Sequence, residues 1–270
     1  MTITAHCLVR NEENFIWYAI QSVSPFMDKI LVWDTGSTDK TVEIIKSITS
    51  SKIEFQEKGL VNEMEHTKLR NDMVNKTTTD WFMVLDGDEI WPENQLKNTI
   101  MSMEQLPGDK NVIVSRFIFN VGDVYHYSSW GKYNYPWGLS GHYSPRLFRN
   151  AHGIHFGGNY DHDTAIYQDN TLAVTEKNCF VSPDYFFHCG VLVRSPRDNE
   201  VTLGHGRRSV STYSLGILGH GMKLPNDVDV PEVFASQICP AIVPKVMPLS
   251  KRQSLTNLGN YLADRLNVWD

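Results

Sequence analysis

Four apolar runs lie between residues 2 and 89, three of them end in a polar cluster, and helix-like segments separate them. The runs are Thr2–Val9, Lys29–Trp33, Lys52–Phe55 and Trp81–Leu85. The second, with Ile-Leu-Val-Trp and almost no polar relief, has the composition of a strand buried on both faces. Between the first two, Asn14–Val23 carries Ile16, Ile20 and Val23 at helical spacings of four and three. Thr35–Asp39 predicts a turn opening a second helix. Ser37 or Thr38 is placed to cap it, Asp39 suits the positive end of its dipole, and Val42, Ile44 and Ile45 supply apolar contacts. Glu63–Asn75 predicts a third helix. Strand–helix alternation of this kind leaves few folds open: an α/β architecture with a parallel sheet and helices on both faces.

Sheets of that class bind ligands beyond the carboxyl ends of their strands. The polar clusters lie there: Arg10–Glu13 after the first strand, Asp34–Asp39 after the second, Asp86–Glu89 after the fourth. Asp86-Gly87-Asp88 is the central feature. Two carboxylates around a glycine cannot both enter a core without a large desolvation cost. At a strand-end turn a divalent cation offsets their repulsion, and hard oxygen ligands suit Mg²⁺ or Mn²⁺ shared with substrate phosphates. The plainer alternative is an acidic turn that helps to cap the helix beginning at Pro92. Asp34 can accept hydrogen bonds from a base or ribose, or simply initiate a turn. Arg70, in Lys68-Leu69-Arg70-Asn71, either faces a pyrophosphate or lies on a solvated helix face.

After Glu89 the pattern changes. Pro92 suits the first turn of a helix reaching about Leu106, with Leu96, Ile100 and Met103 in phase. Asn111–Phe119 and Asp184–Val193 read as strands. His188, near the end of the latter, reads from its position as a core histidine. The stretch from Tyr125 to Trp137 is rich in Tyr and Trp. It reads as core packing in part and as a sugar-stacking platform at Trp130 and Trp137. Base stacking on the same rings leaves a nucleic-acid partner open. His152, His155 and His162 lack the Cys partners of a zinc site. Beyond Ser195, frequent Gly and Pro predict a tail that wraps the domain, closing in a helix with Leu255, Leu258, Leu262 and Leu266 on one face. That stripe packs on its own domain or serves a homo-oligomer.

Lys and Arg total 25 against 31 Asp and Glu, a net charge of −6, which disfavours a dedicated nucleic-acid binder. Cys7, Cys179, Cys189 and Cys239 form no CxxC and read as thiols of a reducing compartment. No apolar run reaches the roughly 20 residues of a membrane span. The start of the chain lacks the basic and apolar segments of a signal peptide, so a cytoplasmic location is expected.

Taken in order and spacing, Asn11-Glu12-Glu13, Trp33-Asp34-Thr35-Gly36-Ser37-Thr38-Asp39, Lys68-Leu69-Arg70-Asn71 and Leu85-Asp86-Gly87-Asp88-Glu89 resemble the motifs of family 2 glycosyltransferases of the GT-A fold. The resemblance covers roughly residues 2–92. Ser144–Arg149 followed by Tyr160–Asp163 is similar to a segment of bacterial and phage members. Thr35 stands where an acidic residue is common, and Asp163 where Glu is usual.

The resemblance implies a Rossmann-like, mixed but mostly parallel sheet flanked by helices. Residues 1–92 would form the nucleotide-sugar half, 93–195 the acceptor half, and 196–270 a C-terminal extension. It implies inverting transfer from a nucleotide-sugar, usually a UDP-sugar, with Mn²⁺ or Mg²⁺. Carried over, Asp34 contacts the base, Asp86 the ribose and Asp88 the metal, with His188 as a second ligand. Arg10, Glu12 and Arg70 belong to the nucleotide site. Inversion needs a carboxylate on the acceptor side to take the hydroxyl proton. Asp163 is the first choice and Asp161 the second. The expected acceptor is a glycan or a lipid-linked saccharide. Rival readings are glycosylation of a protein or a modified nucleobase, and a non-catalytic module that keeps the fold. A nucleotidyltransferase would need a glycine-rich phosphate loop, and Arg10–Glu13 contains no glycine.

Overall fold

A computed structural model describes residues 1–129, 133–150, 153–157, 164–197, 221–246 and 248. The first half runs β1 (Ile3–Val9), α1 (Ile16–Val23), β2 (Lys29–Asp34), α2 (Thr41–Ser47), β3 (Ile53–Glu57), α3 (Glu63–Lys76) and β4 (Trp81–Val84). Short β5 (Glu89–Ile90) leads into α4 (Glu93–Met103). Then come β6 (Val112–Val121), β7 (Asp123–Tyr127), β8 (Tyr133–Asn134), β9 (Ser140–Gly141) and β10 (Tyr143–Arg149). The remaining strands are β11 (His155–Gly157), β12 (Thr164–Ile166), β13 (Cys179–His188) and β14 (Met222–Lys223), followed by a 3-10 turn at Glu232–Ala235.

The main sheet has the order β3-β2-β1-β4-β10-β6-β7-β14, with β13 lying beside β6 and reaching β5. β3, β2, β1 and β4 are mutually parallel, β10 enters antiparallel between β4 and β6, and β13 is parallel to β6. The α/β class expected from the alternation is therefore found, in a mixed sheet with a parallel core.

Both faces of that parallel core are buried, which is why its strands read as nearly unbroken apolar runs. Ile3, Ala5, Cys7 and Val9 of β1 face a cluster with Ile16, Ile20 and Leu96 from α1 and α4, while the neighbouring Leu8 packs with Leu31, Trp33 and Met73 on the α3 side. α1 and α2 carry the chain outward from β1 to β3, and α3 returns it across the other face to β4. The parallel order therefore reverses direction between β1 and β4, and a crevice opens at such a switch.

Details differ from expectation at three places. Neither Ser37 nor Thr38 caps α2: Lys40 occupies the cap position without a side-chain bond, and Asp39 Oδ1 accepts the Thr41 N–H at 2.9 Å. The last long strand covers Cys179–His188 rather than 184–193, because after His188 the backbone turns to bond the Asp86–Glu89 loop through Cys189 N–H and the Asp88 carbonyl at 2.9 Å. α3 carries a capping box, Asn62 with Glu65, that the Asn-x-x-Glu spacing encodes but the helical periodicity does not show.

Residues 221–246 lie against this domain. β14 pairs with β7, Leu224 and Val243 join the main core, and Tyr18 donates to the Pro244 carbonyl at 3.0 Å. The stripe Leu255, Leu258, Leu262 and Leu266 lies outside the described residues, as do Trp130, His152, Asp161, His162 and Asp163. Among the described residues no helix is long and apolar enough to cross a membrane.

Candidate active site

Two loops, after β1 and β2, are stitched together before any ligand is considered. Asn11 sits in the left-handed region, φ 52°, which Asn tolerates better than most residues. Its N–H donates to Ser37 Oγ at 2.8 Å, and its Oδ1 accepts the Thr38 N–H at 2.7 Å. The Glu12 N–H donates to Thr41 Oγ1 at 2.7 Å, and Glu13 Oε2 accepts the Lys40 N–H at 2.9 Å. Ser37 and Thr38 thus serve the neighbouring loop, which explains their absence from the helix cap. Asp34, buried at the end of β2, accepts the Gly36 and Ser37 N–H groups at 2.9 and 3.0 Å.

After β4 the chain makes the Asp86-Gly87-Asp88 turn. Gly87 is there for closeness: a Cβ would lie 2.8 Å from Glu12 Cγ, so any side chain would push the two loops apart. Asp86 and the fully buried Glu89 share one cation. Arg146 Nη2 lies 3.1 Å from Asp86 Oδ2 and also binds Glu89 Oε1. Arg146 reaches them because β10 is bulged, its register against β6 shifting between Pro145 and Leu147. Bulges re-aim side chains and accommodate proline within a strand.

Burial pushes the Asp86 carboxyl up, but Arg146, then Arg70, His188 and His66, pull it further down, and it ends below the usual range. The side chain is 39% exposed, yet Arg146 lies 3.1 Å away and sets the direction. Glu89 goes the other way: burial, reinforced by Asp86 and Asp88, holds its carboxyl well above the usual range despite Arg146.

Asp88 and His188 face each other across the crevice, with Asp88 Oδ2 and His188 Nε2 3.8 Å apart. Phe117 and Phe119 on β6 flank the imidazole at 5.2 and 5.9 Å. Burial lowers its pKa more than Asp88 raises it, with Arg146 and Arg194 adding to the fall, so the ring is held neutral, the form that ligates metals. Its buried Nδ1 has no hydrogen-bond partner among the described residues. A Cβ on Gly190 would sit 2.7 Å from His188 Nε2 and 3.3 Å from Asp88 Oδ2, so the glycine preserves space beside both atoms.

One carboxylate oxygen and one neutral imidazole, close enough for a single ion to touch both, fit Mn²⁺ or Mg²⁺. Among the described residues no group of three or more His, Cys, Asp or Glu side chains could hold a metal. Arg194 adds a fixed cation, its Nη1 2.9 Å from both Glu12 Oε1 and Asp88 Oδ2.

Arg70 extends from α3 with its guanidinium 5.4 Å from the centre of the Phe156 ring, near enough to Asp86 to depress its pKa. The adjacent Asn71 binds the Phe156 backbone twice, accepting its N–H at 2.7 Å and donating to its carbonyl at 2.8 Å. Arg10 lies at the mouth of the same loop, partly exposed. Trp137 is half-buried against Tyr135, 4.7 Å between ring centres, in the satellite core around Phe82 and Phe148.

The structure thus gathers Asp34, Asp86, Asp88, Glu12, Arg70 and His188 at one end of the sheet and places Trp137, partly buried, beside the satellite core. Sequence reasoning assigned no role to Arg146, Glu89 or Arg194. For Arg146 a signal existed, the Pro145 that interrupts a strand-like run.

The family model for Glycosyl transferase family 2 matches residues 7–161, more than half of the chain. Two curated relatives are 31% identical over 90 residues. They are the SPbeta prophage-derived glycosyltransferase SunS of Bacillus subtilis (strain 168) and the glycosyltransferase SunS of Bacillus phage SPbeta. The match spans 33% of this chain and only 21% of each relative. Among solved structures, residues 1–349 of S. aureus TarS match over 97% of this chain and 71% of that one, at 13% identity and a TM-score of 0.46. Glucosyl-3-phosphoglycerate synthase from Mycobacterium tuberculosis, in complex with Mn²⁺ and UDP-glucose, matches over 43% of each chain, at 21% identity and a TM-score of 0.35. The family match begins inside β1 and runs through the loops after β1, β2 and β4 that carry Glu12, Asp34, Asp86 and Asp88, and on that ground the chain belongs to glycosyl transferase family 2.

Proposed function

We propose that the protein transfers a sugar from a UDP-sugar to a saccharide acceptor, a glycan or a lipid-linked saccharide, with inversion at the anomeric carbon and with Mn²⁺ or Mg²⁺. The observation that carries this reading is the Asp88–His188 pair, 3.8 Å apart at the ends of β4 and β13. Asp88 and His188 would hold the ion, which when bound supplies positive charge against the diphosphate that leaves. Asp34 and the Arg10–Glu13 loop would receive the nucleoside, with Asp86 toward the ribose and Arg70 toward the phosphates. Arg146 keeps Asp86 ionised and so ready to accept hydrogen bonds.

The base that takes the acceptor proton is assigned to Asp163, with Asp161 as second choice. Both belong to the segment joining β11 to β12, whose ends Gly157 and Thr164 are paired. Trp130 and Trp137 are proposed to lie toward the acceptor.

The test is release of nucleoside diphosphate from a panel of UDP-, GDP- and TDP-sugars, with Mn²⁺, Mg²⁺ or EDTA. Slow hydrolysis of a UDP-sugar is expected, lost in EDTA and reduced about 10²–10³-fold in Asp88→Ala. Release from a GDP- or TDP-sugar alone would replace the donor assignment. Release undiminished by EDTA would remove the metal. Near-normal transfer by Asp163→Asn would move the base elsewhere.

A further inference from the structure

Arg194 lies in a strap, residues 189–197, that crosses the ends of β1 and β2 and is tied down on both sides of it. Asn14 donates from its backbone to the Arg194 carbonyl at 3.0 Å and from Nδ2 to the Val193 carbonyl at 2.8 Å. Ser195 donates its hydroxyl to Asp39 Oδ2 at 2.5 Å. These ties leave Val193 57% exposed while only 19% of the Arg194 side chain is exposed, so the strap sends the cation inward. The Arg194 Nη1 then sits 2.9 Å from Asp88 Oδ2, on the same oxygen that faces His188.

We propose that Arg194 is a built-in counter-cation for Asp88 that competes with the divalent ion, so that the metal enters only together with the anionic diphosphate of the donor. This deepens the proposed function and rests on its metal-binding reading.

The physical case is one of distance. An ion held by Asp88 Oδ2 at about 2.1 Å lies no more than about 5 Å from a guanidinium nitrogen bound to that oxygen. That is well inside the Debye length of about 8–10 Å, and the site is largely shielded from salt. Arginine does not lose its proton, so the repulsion cannot be relieved by titration. Glu12 holds the guanidinium from the other side at 2.9 Å, which restrains it from swinging away. A diphosphate removes the conflict, because its negative charge accommodates both cations and its oxygens match the guanidinium fork.

The experiment is titration of Mn²⁺ into donor-free protein, followed by electron paramagnetic resonance of the free ion, with and without UDP. Wild type is expected to bind Mn²⁺ weakly alone and at least about tenfold more tightly with UDP. Arg194→Gln should bind Mn²⁺ alone at least about tenfold more tightly than wild type and gain less from UDP, while Arg194→Lys stays near wild type. Wild-type uptake that depends on UDP, with no tightening in Arg194→Gln, overturns the inference and leaves the functional reading standing. No uptake by any form, even with UDP, overturns both. Should Arg194→Gln fail to fold, hydrogen exchange on wild type decides. Adding Mn²⁺ with UDP should change exchange in residues 189–197 and at Asn14, and unchanged exchange there counts against the inference.

Discussion

Arg146 holds two carboxylates, one of them on the fully buried Glu89, and its loss is expected to be expensive. Arg146→Met should destabilise the protein by about 3–5 kcal/mol in urea unfolding at pH 8, the usual cost of leaving a buried charge without its partner. The pH dependence has a definite sign. Glu89 already has a folded-state pKa above its unfolded value, and removing the guanidinium raises it further. Such a group favours folding below its unfolded pKa and loses that advantage as pH rises through the folded value. The variant should therefore be less impaired near pH 5 than at pH 8, and adding Glu89→Gln should recover much of the loss. An equal deficit at both pH values would count against this account. At this scale Asp34, Asp86, Asp88 and His188 were legible because each lies at or just beyond the end of an apolar run. Arg146 and Arg194 were not, since they meet Asp86 and Asp88 across 60 and 106 residues of chain.

Among the elements, α3 does two jobs from adjacent residues: Arg70 faces the crevice, and Asn71 fastens β11 by two backbone hydrogen bonds. Asn71→Ala removes both. Stability should fall by about 1–3 kcal/mol, because the Phe156 N–H and carbonyl lose their partner. If Asp163 is the base, turnover should fall more than donor binding, since the segment bearing it starts from β11. Thermal melts and separate determination of kcat and KM check the two parts. The helices and the parallel strands could be read from periodicity, which is local information. β8, β9, β11, β12 and β14 are only two or three residues long, and pairing in this half joins distant parts of the chain, as where β10 inserts between β4 and β6. No window of sequence contains that choice of neighbour.

For the molecule as a whole, the centre of the sheet sets a limit on acid tolerance. His6 on β1 is buried, stacked on Phe82 at 4.8 Å and bonded through Nε2 to Thr77 Oγ1 at 2.6 Å. Burial, with a smaller push from Arg70, drives its pKa down to about 3. The unfolded chain takes up a proton near pH 6.5 while the folded one does not, so stability is complete above that pH and declines as pH falls toward 3. The slope from this residue should approach about 1.4 kcal/mol per pH unit. Urea midpoints measured from pH 7 to pH 4 should show the decline, and His6→Gln should flatten it. An unchanged slope in the variant would assign the acid response elsewhere.

The bulge in β10 has a wider consequence. Strict alternation would send Arg146 to the face opposite Leu147, toward Phe82 and Phe148, while the irregularity at Pro145–Leu147 keeps it with Phe186, 5.6 Å from that ring. The charge of the crevice is therefore encoded in the parity of a strand as well as in the identity of a residue. Dropping Pro145 would alter no ionisable group, yet it would restore the even count and turn the guanidinium away from Asp86 and Glu89. In this stretch a length change in the gene acts as an electrostatic mutation.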